Sequence, residues 1–177
     1  VRVLEKNGYE VIRPPQECCG MPNVDGGDLD GARAKARFNV AQLLPFVEEG
    51  VPVVAPGPTC SYTIKKEWPE LLGTPEAKKV AASTFESMEF MERLRRDKTL
   101  VREFKKGFGK IAYHASCAAK LQRIENAGLE LLKLIPGLTV ERVEGNDVHC
   151  VVAVGGELRS RKGLNLPGID LGIGAFT

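Results

Sequence analysis

The apolar positions of this chain follow two periods that alternate along it. Over residues 29–47, Leu29, Ala32, Ala36, Val40, Leu43, Leu44 and Val47 recur at intervals of three or four, with one doublet, and mark one face of a helix. Asp28 or Asp30 stands where its N-cap belongs, and Pro45 predicts a kink or a tightened last turn. The run "VPVVAPGP", residues 51–58, is apolar without alternation, which suits a strand buried on both faces of a parallel sheet. Thr74-Pro75-Glu76 opens the next helical pattern. From there Ala77, Val80, Ala81, Thr84, Met88, Met91 and Leu94 predict one long amphipathic helix with the methionines as core filler. "KIAYHAS", residues 110–116, predicts a strand ending at Cys117. Leu121, Ile124, Gly128, Leu131, Leu132 and Ile135 predict a helix closed by Pro136-Gly137, and "LTVERVE" the strand after it. At the start, the end of a helix, a turn at Asn7-Gly8 and a short strand over Tyr9–Arg13, stopped by Pro14-Pro15, are expected. Strand, helix and strand recur, so the fold class is α/β: a Rossmann-like, mostly parallel sheet flanked by helices, with a C-terminal β-rich segment.

Composition narrows the function. The 177 residues carry a net charge of +2, with 27% charged and only 6% aromatic residues. Basic residues are scattered along helical faces, so nucleic acid is not an expected partner. No apolar run reaches the roughly 18–20 residues of a membrane span, and no signal peptide is visible. Five cysteines without a compact spacing pattern favour a reducing, cytoplasmic setting in which they are free or bound to metal. The chain begins at Val1 inside a helical pattern and stops at "GIGAFT", which predicts a piece of a longer polypeptide.

The chemistry gathers at "PPQECCGMP", residues 14–22. Neighbouring Cα atoms lie about 3.8 Å apart, short of the roughly 4.4–6.8 Å that disulfides prefer, so Cys18 and Cys19 do not suit an ordinary disulfide with each other. Adjacent thiolates can instead bind different irons of a polynuclear cluster, and Gly20 lets the backbone pass close to it. Cys18, Cys19, Cys60 and Cys117 are each expected just beyond a strand. That is the edge of an open α/β sheet where ligands bind. Forty residues separate Cys19 from Cys60 and fifty-six separate Cys60 from Cys117, so there is no CxxC pair for a zinc ribbon and no ferredoxin spacing. An iron–sulfur site, structural thiols and a redox or nucleophilic cysteine all remain open on spacing alone. His114 reads as a structural residue or one that supports a ligand from behind, with a direct iron-ligand role the lesser alternative.

The stretches "ECCGMP", "DGGDLDGARAKARFNVAQLLPFVEEG", "VVAPGPTCSYTIKKEWPELL", "AYHASCAAKLQ" and "GLELLKLIPGL" resemble the cysteine-rich CCG-domain family of iron–sulfur proteins over about residues 1–145. That family includes the C subunit of anaerobic glycerol-3-phosphate dehydrogenase, which is the nearest type, the iron–sulfur subunit of glycolate oxidase and the B subunit of heterodisulfide reductase. The resemblance implies that Cys18 and Cys19 are the double cysteine, Cys60 the cysteine of the "PTC" segment and Cys117 the opening cysteine of a second motif. It implies an iron–sulfur cluster of the 4Fe–4S type. The implied partner is a flavin-containing dehydrogenase subunit or a membrane quinone-linked protein, with any inner-membrane association made through such partners. Thr63 and Lys120 stand where further cysteines are expected, Ala118 where the family often has His, and no second CCG occurs. The ligand set is therefore incomplete, and a cluster-free α/β scaffold is the competing reading.

From Asn146 the text changes. "VHCVVAVGG" is β-rich, and "GGELRSRKGLNLPG" resembles the end of the small barrel domain of pyruvate kinase. Residues 146–177 are thus expected to be a β-rich tail joined to a truncated cysteine-rich domain, making the chain chimeric. Cys150 is expected to be a strand core residue. The resemblance places none of pyruvate kinase's metal-binding carboxylates, nor its phosphate-binding lysine, in this segment, so a pyruvate kinase-related fragment is the weakest of the three functional readings.

Overall fold

In the computed structural model, residues 1–104, 109–143, 158–159 and 165–166 are described, the last two pairs as backbone only. The chain divides into two compact units, Val1–Leu100 and Val101–Thr177. The composition boundary near residue 145 lies outside the described residues, and so does Cys150. Among the described residues no helix is long and apolar enough to cross a membrane.

The first unit opens with helix α1 (Arg2–Lys6). The Asn7 side chain donates to the Val3 carbonyl at 2.8 Å, and Gly8 turns the chain at φ +82°. The strand expected at residues 9–13 does not form, and the chain from Tyr9 to Cys19 has neither helix nor strand. Pro14 and Pro15 remove two ladder donors there, and Tyr9 instead packs edge-on against Phe90, ring centroids 5.4 Å apart. Helix α2 (Met21–Asp25) follows, then the twenty-residue α3 (Leu29–Glu48). Asp28 is the cap: its Oδ1 accepts from the Gly31 N–H at 2.9 Å, whereas Asp30 pairs with Arg33 at 3.0 Å. Ala32, Ala36 and Val40, each four residues apart, form the buried stripe of α3. The helix runs through Pro45 in its last turns.

Strand β1 (Val53–Ala55) pairs in parallel with β2 (Thr84–Glu86), in register Val53↔Thr84 and Ala55↔Glu86. Parallel pairing requires a long crossover, supplied here by α4 (Pro58–Tyr62), a π-helical turn over Thr63–Glu67, α5 (Trp68–Leu72) and α6 (Pro75–Ala82). Pro69 has no N–H to donate, and its ring would collide with the carbonyl four residues back in an α-helix. The wider π turn just before it accommodates both problems.

The single helix expected from residue 75 to 94 is in fact two, α6 and α7 (Ser87–Arg96), with β2 between them. β-Branched Thr84 and aromatic Phe85 favour the extended form, and β1 offers them an open edge. Glu86 then restarts the helix. Its Oε2 accepts from the N–H groups of Met88 and Glu89 at 2.6 and 3.2 Å, while Glu89 returns the bond to the Glu86 N–H at 3.0 Å. The break leaves Met88 49% exposed instead of in the core. The core itself joins Ala36, Val40, Ala55, Ile64, Trp68, Ala77 and Val80, with Cys19 and Cys60 packed against it.

On α7, Glu92 is 4% exposed and held by Arg95 at 2.6 and 2.8 Å and by Arg96 at 3.0 Å. The Arg95 hydrogen bond, ahead of burial acting in the opposite sense, keeps the Glu92 carboxyl below its usual range. A lowered folded-state pKa stabilises the fold above the unfolded value and loses that contribution as pH falls through the folded one. Glu92→Gln is expected to cost on the order of 1–2 kcal/mol at pH 7. The gap in urea midpoint from the parent chain should close as pH drops below about 4.3; a gap independent of pH would contradict the pairing.

In the second unit, β3 (Gly109–Tyr113) pairs in parallel with β4 (Leu138–Arg142), Gly109↔Leu138 through Tyr113↔Arg142. The crossover is α8 (Cys117–Leu121) and α9 (Ala127–Leu132) rather than one helix. Arg123, at φ +58°, ends the first of them. The Tyr113 hydroxyl donates to the Glu125 carbonyl at 2.9 Å, and its ring lies over Gly128, where a Cβ would come within 2.9 Å of the hydroxyl. In the tail, β5 (Leu158–Arg159) and β6 (Asn165–Leu166) form an antiparallel pair. The fold is α/β with parallel pairing, as the apolar periods predict. It is realised as two parallel strand pairs, one in each unit.

Candidate metal centre

The cysteine turn is irregular backbone held by side chains from two helices. Its pivot is Gly20, buried and at φ +91°, a left-handed conformation that L side chains rarely adopt. Helix α3 delivers Asn39, 3% exposed, beside the buried Val40. Asn39 Oδ1 accepts from the Glu17 N–H at 2.9 Å, and its Nδ2 donates to the Cys18 carbonyl at 3.3 Å. Helix α5 delivers Trp68, 1% exposed, whose Nε1–H donates to the Cys19 carbonyl at 2.8 Å. Neither Asn39 nor Trp68 stands out as a site residue in the sequence. A polar residue on an otherwise apolar helix stripe and the lone tryptophan of the chain are the available signals.

Cys60 lies on α4, immediately beyond β1, as the strand pattern predicts. Burial pushes its thiol up to about 11, helped by a hydrogen bond with Cys19 and then by the charges of Cys19 and Cys18. Cys18 is exposed, Cys19 and Cys60 half-buried. Cys60 thus meets Cys19 in the first unit, with Cys18 next to Cys19 in the chain. Cys117 is exposed at the first position of α8 in the second unit, after β3 and a Ser116 cap that accepts from the Ala119 N–H at 3.2 Å. The double cysteine does not follow a strand, because residues 9–13 stay irregular. Thr63 is fully buried and donates its hydroxyl to the Thr59 carbonyl at 2.9 Å, so this position is closed into its own helix.

The donor set tests its own occupant. Among the described residues no group of three or more His, Cys, Asp and Glu is placed to hold a metal ion. Adjacent thiols and a third that resists ionisation beside them cannot all carry charge together unless a positive group offsets the repulsion. Such thiols suit a positively charged, sulfur-seeking group. A separate cavity of about 490 Å³, lined by Tyr9, Phe85, Phe90 and Arg93 among others, contains none of the cysteines.

Residues 1–65 match the family model described as the cysteine-rich CCG domain. The C subunit of the anaerobic glycerol-3-phosphate dehydrogenase of Escherichia coli (strain K12) is 31% identical over 140 residues, covering 78% of this chain and 35% of that protein. Lactate utilization protein A of Geobacillus thermodenitrificans (strain NG80-2) is 29% identical over 170 residues, covering 92% of this chain and 67% of that protein. The chain thus spans about a third of the first of these relatives and two thirds of the second. No solved structure matches it.

Proposed function

Taking residues 1–65 as a cysteine-rich CCG domain, whose family model they match, we propose that the chain is an iron–sulfur electron-transfer module of an oxidoreductase. The observation that carries this is the contact of Cys60 with Cys19, which lies beside Cys18 on a braced turn. Likeness to the C subunit of a glycerol-3-phosphate dehydrogenase supports a parent complex of that type. Its flavin-bearing subunit would deliver electrons and a quinone-linked membrane protein would accept them. The group, of the 4Fe–4S type, supplies one-electron storage when bound. The chain's own residues bind and orient it: Cys18, Cys19 and Cys60 as thiolates, Cys117 as the fourth candidate from the second unit. No bond is made or broken by this chain, and its potential is set by burial and by hydrogen bonds to sulfur.

Anaerobic purification, reconstitution with iron and sulfide, and measurement of bound iron, acid-labile sulfide and visible absorbance test the proposal. The parent chain is expected to retain iron, and Cys19→Ser to lower retention by about tenfold or more. Cys117→Ser decides whether the second unit contributes: an equal loss includes it, unchanged iron removes it. A parent chain that retains no iron would leave the cluster-free scaffold. The closed, buried Thr63 favours that reading.

A further inference from the structure

The two buried side chains around the cysteine turn bond to carbonyls, and this has a consequence for the opposite face of the backbone. All peptide bonds described are trans, so each C=O points away from the N–H of the next residue. Asn39 captures the Cys18 carbonyl, which turns the Cys19 N–H away from it. Trp68 captures the Cys19 carbonyl, which does the same to the Gly20 N–H. Among the described residues, neither of these N–H groups donates a hydrogen bond within the protein. Asn39 also holds the Glu17 N–H, so the turn is gripped at three successive residues. Gly20, at φ +91°, admits the geometry that this grip imposes.

We infer that Asn39 and Trp68 are positioning residues. They lock the orientation of the two peptides flanking Cys19, so that the N–H dipoles of Cys19 and Gly20 are left to the negative charge carried by the cysteine sulfurs. The inference rests on the iron–sulfur reading for its effect on potential, but its effect on the turn stands without metal. Such dipoles favour the more negative, reduced state and raise its potential. With no metal bound, the same grip limits how freely the turn opens around half-buried Cys19.

Trp68→Phe keeps an aromatic ring and removes the donor; Asn39→Ala removes the other clamp. Val80→Ala, in the same core but with a side chain that makes no hydrogen bond to the turn, controls for general loosening. In the metal-free chain, amide hydrogen exchange of the segment Glu17–Met21, followed by mass spectrometry, should run about fivefold faster in each clamp variant, the effect of one lost hydrogen bond. It should be unchanged in Val80→Ala. In reconstituted protein, both clamp variants should titrate at a lower midpoint potential than the parent. Exchange rates unchanged in the clamp variants, an equal rise in Val80→Ala, or an unmoved potential in iron-loaded variants would each overturn the inference. If the parent takes up no iron, the electron-transfer reading falls and the exchange rates alone decide the positioning role.

Discussion

Trp68→Ala is expected to destabilise the first unit by about 3–5 kcal/mol, the usual cost of emptying a fully buried tryptophan site. Trp68 is 1% exposed and lies in the cluster that joins α3, β1, the π turn and α6. Its neighbours there include Ala36, Ala55 and Ala77, whose short side chains cannot reach into the space left behind. The change also removes the Nε1–H bond to the Cys19 carbonyl, so a buried polar contact is lost together with the packing. Against a typical total of about 5–15 kcal/mol, this is a large fraction of the unit's stability. Urea unfolding followed by circular dichroism measures it; a loss below about 1 kcal/mol would show that the core closes over the gap.

Gly20→Val should act on stability and on metal together. At φ +91° a β-branched residue is strained by about 1–3 kcal/mol. A Cβ alone would have room, its nearest neighbours being Ala32 backbone atoms at 3.5 Å, so the dihedral angle, not crowding, sets the cost. The easiest relief is to move the peptide between Cys19 and Gly20, which carries the carbonyl that Trp68 holds and adjoins the Cys19 side chain. A fall in unfolding midpoint and a loss of reconstituted iron are both expected. Gly20→Asn should be milder in both measurements, because Asn tolerates the left-handed region better. Equal behaviour of the two variants would remove the backbone conformation as the cause.

The helix of residues 29–48 was legible because its apolar spacing repeats over twenty residues and its cap is local: Asp28 bonds an N–H three positions away. Strands β1, β3 and β4 were legible as short β-rich runs between turn signals. The helix read from 75 to 94 was wrong in the middle because a helical period continued across Thr84 and Phe85. Their true partners are Val53 and Val54, some thirty residues earlier. The strand read at 9–13 failed for the converse reason. Its composition suits an extended chain, but among the described residues no strand pairs with it.

The candidate site divides along the same line. Candidate identity was local: two adjacent thiols, a glycine after them and a third thiol after a strand could be picked out from residue type and order, and the resemblance of these stretches to the CCG family pointed them toward an iron–sulfur cluster. Which backbone groups of the turn are held, and by what, was decided by tertiary packing. Cys19 meets Trp68 across 49 positions and Cys18 meets Asn39 across 21. Burial makes such contacts binding, since a carbonyl or indole N–H removed from water must find a partner inside the fold. A chain pattern registers that Asn39 is polar and Trp68 is large; only the folded core determines that the partner of each is the backbone of the cysteine pair.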